Sequence, residues 1–469
     1  MVGRCVVGFG GSLKETDALL RVQAPAGSLV TIKKGSVTKS DEGHENANDH
    51  TLCDYYFIIH QSQFDSVNAW EVEATLGKAN AIVNVLIHES DEYDVVISYE
   101  YGVHWDKSST TWLDRTGQNV YMSDPVVAVA SGSGSSPFDR IYPWSEMAEF
   151  NVINNALSYQ KGVDAEFSRT SYDTVVRIPK FYYKVYDPET SNVWSLSISP
   201  IAQTGYELHP AFEDKDYIYV GRYLTSSAFE SKSGKTPLGN SKIADTRTNS
   251  RAKGSNWDML NIMVWSAIQM LYVVEFADWN SQACIGLGCT GVSSYSGTGG
   301  TDAMTFHTGR STSTNGNGSI QYRGLEDVWG VYHQQVDGIN AYGKTIYICT
   351  DRSKFASGTS TNYTSANNAY SSTWNDAGYF HYIGHSSVFP WFFVPWEISA
   401  NESYGSTYIP DYCYHLASNG WRPMEVCGAG LNSSSYPNRA GLFAFNINTN
   451  VDSQIADFSS RLIFMPQGV

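Results

Sequence analysis

The stretch Gly420–Asn450, GWRPMEVCGAGLNSSSYPNRAGLFAFNINTN, decides how the chain is read. Gly420, Trp421, Gly428, Gly430, Gly441 and Leu442 have the character of a fixed frame. Between them stand Asn, Ser and Tyr, with Cys427 and Phe445. A core strand alternates apolar and polar residues, and a catalytic segment carries a spaced set of reactive groups. This stretch does neither.

The rest of the chain has the same flavour. Of 469 residues, 17% are charged, against about 25% in typical soluble domains. Tyr, at 31, equals Lys and Arg together, and Gly reaches 40. Such usage points to strands and loops in two or three domains. A formal net charge of −16 opposes nucleic acid and anionic membrane as partners. No apolar run is long enough to span a bilayer, and MVGRCVVGFGGSLKETD lacks the long apolar region of a secretory signal. Seven scattered cysteines, Cys5, Cys53, Cys284, Cys289, Cys349, Cys413 and Cys427, are expected as free thiols of a reducing compartment.

Working outward from the terminal stretch, residues 1–15 are an N-terminal arm. Residues 16–103 alternate with period two through ALLRVQAPAGSLVTIKKGS, AWEVEATLGKANAIVNVLIHES and EYDVVISYEYGV, which predicts a small all-β sandwich. Residues 104–140 are a connecting region that ends in the Gly/Ser-rich linker 130–139. Residues 141–469 are expected to form the last domain. PWSEMAEFNVINNAL, from Pro143, predicts a helix, and DTVVRIPKFYYKVYD a strand pair or a bent strand broken at Pro179. Trp257, Leu260, Val264, Ala267, Ile268, Leu271 and Val274 recur at three and four, predicting a long helix capped by Ser255 or Asn256.

Chemical motifs fail on inspection. A phosphate loop ending in Gly234-Lys235-Thr236 would need Gly where Phe229 stands. GHSSV has Val388 in place of the second Gly of a nucleophile elbow. There is no His-Glu-x-x-His, and Cys284 and Cys289 lack a second ligand pair. The acidic runs 89–94 and 212–217 read as solvated loops, and the aromatic run Phe389 to Trp396 reads as core. No catalytic residue, metal ligand or cofactor is expected.

The ordered series GLEDVWGVYHQQVDG (324–338, with Gly324, Trp329, Gly330 and Asp337), GWR (420–422), Gly428, Gly430, AGLF (440–443) and SRLIF (460–464) resembles a known family. It is similar to C-type lectin-like domains of the formylglycine-generating-enzyme subtype, found in variable proteins of diversity-generating retroelements and in phage tail receptor-binding proteins. The resemblance implies an α+β class, with a C-type lectin-like C-terminal domain preceded by the small sandwich. It implies a virion protein of the phage tail tip, made in the host cytoplasm, that is not an enzyme. Its partners would be a host bacterial surface receptor, protein or glycan, and other tail or baseplate proteins, with a homotrimer as the assembly. Adenine-directed mutagenesis of Asn-type codons leaves residues such as Asn, Ser, Tyr and Phe, and the same residues supply the contacts of antibody paratopes. The resemblance implies a variable segment over about 420–464, with Glu425, Leu431, Asn432, Ser435, Tyr436, Asn438, Phe443, Phe445, Asn446 and Asn448 as the ligand surface; all of these but Glu425 are expected exposed on one face. Trp421 and Leu442 are expected buried, and Arg422 and Arg461 paired with carboxylates or carbonyls. Two rivals follow: a sulfatase-modifying oxygenase using Cys413 or Cys427, and a baseplate scaffold that binds only tail proteins. Trp374-Asn375-Asp376 matches half of a calcium-lectin motif, but no Glu-Pro-Asn precedes it.

Overall fold

The computed structural model describes Lys14 and residues 16–466, apart from 42, 47, 48, 50, 108–112, 188–191, 292–294, 296, 331, 344, 367–376, 400–408, 416–419 and 429–436. Strand alternation organises the first hundred residues. In Ala18–Pro25, Leu20, Val22 and Ala24 are buried while Arg21 and Gln23 are half-exposed. One sheet runs His44–Glu45, Leu52–Ile59, Ala18–Pro25, Glu92–Val96; the other runs Val37–Asp41, Leu29–Lys34, Trp70–Leu76, Ala79–Val85. Their inner faces share a core of their own around Leu20, Ile32, Phe57, Trp70 and Val72.

The following segment is not a tether. Tyr101–Asp106 enters a third sheet beside Val193–Ser199, and Asp114–Gly117 pairs with it. The Gly/Ser stretch expected as a linker is exposed at Ser131, Gly132, Ser133 and Ser135 but anchored to the body at its end. Ser136 donates to Glu275 (2.8 Å) and accepts from Arg323 (3.1 Å), and Phe138 is fully buried. Arg140 grips Glu71 with two hydrogen bonds (2.8 and 3.0 Å), and Asn80 Oδ1 accepts from the Tyr142 amide. Of the small polar residues here, Ser136 serves a buried network.

Two helix expectations change. Residues 143–157 form a 3-10 turn, Trp144–Glu146, and a hairpin, Glu149–Ile153 with Ala156–Gln160. Asn154 and Asn155, at φ 52° and 64°, make the two-residue turn that such left-handed residues favour. The long helix is Ile262–Phe276, capped by Asn261, whose Oδ1 accepts from Val264 N. Trp257–Met259, expected inside it, is instead a strand against Leu462–Phe464. All fifteen helix residues are buried, so the helix is a spine enclosed by sheets and not an amphipathic cover.

The fold class is therefore corrected. Strand makes up 41% and helix 13%, with three α-helices among the described residues, so the chain is all-β and not α+β. The largest sheet orders Thr364–Ser365, Thr345–Ile348, His333–Tyr342, Trp421–Val426, Phe445–Ile447, Ile409–His415, Ala377–His385 and Phe393–Ser399. The strand Leu462–Phe464 is inserted between Tyr217–Gly221 and the edge strand Trp257–Met259 of a six-stranded sheet. Just before it, Arg461 donates to the carbonyls of Gly221 (3.0 Å), Arg222 (2.7 Å), Glu326 and Asp327 (2.8 Å) and to Gln334 Oε1 (2.9 Å). Leu442 is buried as expected; Trp421 is only half-buried, at a sheet margin beside Tyr342 and Tyr347. Arg422 is buried and donates to Asn450 Oδ1.

Arg461→Ala strands several buried carbonyls at once, each costing about 1–3 kcal/mol when unpaired. Urea unfolding is expected to show a loss of at least about 3 kcal/mol. A loss below about 1 kcal/mol would show that water replaces the guanidinium freely.

Candidate functional site

The strand Ile409–His415, IPDYCYH, sorts its side chains by period two. Asp411 and Cys413 point inward and are buried, while Tyr412 and Tyr414 are half-exposed on the opposite face. In the neighbouring strand Ala377–His385, Phe380 is buried and Tyr379, directly opposite Tyr412, is half-exposed. The three tyrosines form a ladder, with ring centroids 5.0 Å apart for Tyr379 and Tyr412 and 4.6 Å for Tyr412 and Tyr414.

The 3-10 turn Pro437–Arg439 lays a guanidinium over this ladder. Arg439 sits 4.4 Å from the Tyr412 ring centre and 5.6 Å from that of Tyr414, and its Nη1 donates to the Tyr414 hydroxyl (2.8 Å). Burial raises the Tyr379 and Tyr412 phenols above their ordinary values, against a lowering pull from Arg439. Tyr379 and Tyr412 thus present neutral hydroxyls. Ring faces, hydroxyls and a planar cation lie within one small area, held by strands that have already lost their conformational freedom.

A buried relay supports this platform from below. Asp411 accepts from the Phe443 amide (2.7 Å) and from Gln282 Nε2 (2.9 Å). The same Gln282 Nε2 donates to the Asn438 carbonyl (3.2 Å), next to Arg439. Ser281 Oγ accepts from Leu442 N (3.1 Å). Gly441, at φ 140°, is needed here: a Cβ at that position would lie 1.9 Å from Asp411 Oδ1. Burial pushes the Asp411 carboxyl up to about 7, against the lowering effect of these donors.

The residues expected to form the ligand surface divide. Phe443 and Phe445 are 3% and 6% exposed. Phe443 packs against Trp279 (5.2 Å) and Phe393 (5.5 Å), and Phe445 against Phe380 (5.6 Å). With Ile262, Trp265 and Met424 they line a cavity of about 20 Å³, room for a single water-sized sphere. They are core, against expectation, because strand period places Phe445 and Ile447 on the inner face. Asn446 and Glu425 lie on the other face but are also buried, at 7% and 1%. Asn446 Oδ1 accepts from the Asn448 amide (2.9 Å), and Glu425 accepts from Thr449 Oγ1 (3.0 and 3.1 Å). Burial holds the Glu425 carboxyl well above the usual carboxylate range. Asn438 is half-buried beside the platform, and Asn448 is exposed. Leu431, Asn432, Ser435 and Tyr436 lie outside the described residues, as do Trp374, Asn375 and Asp376.

The sequence reading did not single out Tyr379, Tyr412, Tyr414 or Arg439. The signal was present in IPDYCYH: two tyrosines at alternate positions, with Asp411 and Cys413 between and before them. Cys413 and Cys427 are both buried, and burial drives both thiols well above their ordinary values. A thiol held neutral in an apolar interior is a poor nucleophile and a poor metal ligand. Comparison with family models and with curated proteins finds no match.

Asp411 has a higher carboxyl pKa folded than unfolded, so the folded state holds its proton longer. Its contribution to stability is complete below about pH 4 and is lost as pH rises toward 7. Asp411→Asn removes that loss. Thermal melts at pH 5 and pH 8 are expected to show the wild type losing more stability between them than the variant, by a few kcal/mol. An identical difference in both proteins would mean that Asp411 stays ionised throughout.

Proposed function

We propose that this protein attaches a phage tail to a receptor on the host bacterial surface, and that the Tyr379, Tyr412, Tyr414 and Arg439 platform makes the contact. The observation that carries this reading is the platform. Tyr and Arg are the residue types in which binding energy concentrates, and here they lie together on rigid strands. A ligand meeting this surface immobilises few rotors, so less of the contact energy is lost to ordering. The segment 429–436, with its Asn, Ser and Tyr, leaves the frame at Gly428 and rejoins it at Pro437, two residues before Arg439. Variation in a segment so close in sequence to Arg439 would be in keeping with a diversifiable recognition surface. Symmetric copies on one particle would convert modest single contacts into firm attachment through effective concentration.

The net charge of −16 supports a surface ligand over nucleic acid. The rival oxygenase reading needs a reactive thiol, and the burial of Cys413 and Cys427 stands against it. The scaffold reading, with binding only to other tail proteins, is an outcome of the test.

In a cell-binding titration on bacteria that the parent phage infects, Tyr412→Ala is expected to weaken binding by about 2 kcal/mol, roughly 30-fold. Its melting temperature should hardly move, because the side chain is half-exposed. Phe445→Ala should do the opposite: a stability loss of about 3–5 kcal/mol, as for large core aromatics. If full-length protein binds such cells and Tyr412→Ala binds equally well, the platform is not the contact surface. If no cell binding occurs and purified tail proteins capture the chain, the scaffold reading replaces this one.

A further inference from the structure

Three Asn-Gly pairs occur in the chain: Asn315-Gly316, Asn317-Gly318 and Asn419-Gly420. Asn419 lies outside the described residues. The other two pairs share one loop, between the strands Gly309–Arg310 and Ile320–Tyr322. An Asn followed by Gly is chemically labile, because the next amide nitrogen approaches the side-chain carbonyl carbon with no Cβ in the way. Whether such a pair reacts depends on what the fold does with its side chain.

The fold treats the two pairs differently. Asn315 Oδ1 accepts from the Leu287 amide (2.7 Å), which ties this side chain to a neighbouring loop. Gly316 is buried, and its carbonyl accepts from the Gly291 amide (2.8 Å). Asn317 is exposed, and its side-chain amide makes no hydrogen bond among the described residues. Both glycine amides are also unbonded among those residues, so the side chains decide. Packing favours Gly at 318: a Cβ there would lie 2.6 Å from Ser311 Oγ and from Thr312 Cγ2. The labile pair is therefore built into the loop.

We propose that Asn317 converts spontaneously to aspartyl and isoaspartyl forms in the folded protein, while Asn315 is protected. Hydroxide removes the Gly318 amide proton, and the nitrogen attacks Cγ of Asn317. The N–Cγ bond forms and the Cγ–Nδ2 bond breaks. The amino group takes a proton from water and leaves as ammonia, which restores the hydroxide. The product is a cyclic succinimide, which water then opens. Addition at Cγ breaks the new N–Cγ bond and gives an aspartyl residue. Addition at the backbone carbonyl carbon breaks the original peptide bond and gives an isoaspartyl residue, with the chain running through the side chain. Amide plus water become carboxylate plus ammonium, with no oxidant or reductant needed.

The location gives the change a consequence. Asn317 Oδ1 lies 3.1 Å from where a Cβ on Gly291 would stand, so this side chain crosses Gly291. The turn Cys289–Gly291 packs against Pro437–Arg439, which carries the platform's guanidinium. A carboxylate gained at 317 adds negative charge beside that pair of turns. An isoaspartyl linkage lengthens the main chain between two loop contacts, Gly291 N with Gly316 O and Ser311 N with Ser319 O (both 2.8 Å).

The test is a peptide map of the purified full chain after incubation in warm, mildly alkaline buffer, with fragmentation to separate positions 315 and 317. Position 317 is expected to gain the mass difference between a hydroxyl and an amino group, in two chromatographic forms. Conversion at 317 should exceed that at 315 by about tenfold or more. It should rise roughly tenfold per pH unit, since the deprotonated amide is the attacking species. In denaturant the two positions should react at similar rates. Asn317→Gln, whose longer side chain needs a larger and slower ring, should leave the loop unconverted. Equal conversion at 315 and 317 in the folded protein overturns the proposal, because the fold then selects nothing. An unconverted 317 in the folded protein overturns it equally, and shows that the loop holds the attacking nitrogen away from Cγ.

Discussion

Arg461 is the joint on which the architecture turns. Its guanidinium is 1% exposed and satisfies four backbone carbonyls and one side-chain amide from three separate stretches of chain. No other side chain could do this: five donors in a rigid planar fork match carbonyls that diverge from one point. Arg222, also buried, continues the pattern by donating to the Gly324 carbonyl, Thr301 Oγ1 (2.9 Å) and Gln321 Oε1 (3.2 Å). The desolvation cost of a buried cation is offset only because every direction offers an oxygen. Since Arg461 lies near the chain's end and clamps residues 221–334, the six-stranded sheet cannot close until the last strand is in place. Folding is thereby tied to contacts of very long sequence separation, a slow kind of closure.

The platform and the core beneath it are two faces of one strand. Tyr412 and Tyr414 look out because Asp411 and Cys413 look in, and Asp411 is in turn fixed by Gln282 and the Phe443 amide. The turn bearing Arg439 hangs from the same Gln282 through the Asn438 carbonyl. Changes in the buried relay therefore reach the surface through two hydrogen bonds, without any moving segment. The clash that any side chain at Gly441 would have with Asp411 explains why Gly, and not a larger residue, frames the stretch.

How far the sequence could be read depended on whether local pattern or remote partners decided the structure. Period two in Leu20, Val22 and Ala24 identified the strands of the first sandwich because one face is solvated and the other is not. The 262–276 helix was visible as an apolar stretch, yet its periodicity carried no information, since every face is buried. Its start was misplaced because Asn261, not Asn256, makes the cap. Asn154 and Asn155 spelled a hairpin turn that the Pro143 helix signal obscured. Ser136 and Phe138 read as linker because Glu275 and Arg323, their partners, lie far along the chain. Phe443 and Phe445 were assigned to the surface by composition, where strand alternation would have sent Phe445 inward. Glu425 and Asn446 alternate outward correctly, but a covering loop that carries Thr449 buries them.

The distribution of charge limits how any ligand is recognised. Among the described residues Arg222, Arg247, Arg323, Arg422, Arg461 and Lys215 are buried, so six of the 31 cations are spent inside the fold. Several buried carboxyls, Asp411 and Glu425 among them, are held toward neutrality. The solvent-facing surface is thus acidic overall, and Arg439 is a local cation in a negative field. Long-range attraction cannot deliver an anionic ligand to such a surface, since beyond about 8–10 Å the field is both adverse and screened. A ligand at the proposed platform would have to be recognised by contact itself: stacking on Tyr379, Tyr412 and Tyr414 and hydrogen bonds at their hydroxyls. Such contacts act only at touching distance, which favours a ligand presented at high density on a surface over one captured by diffusion from solution.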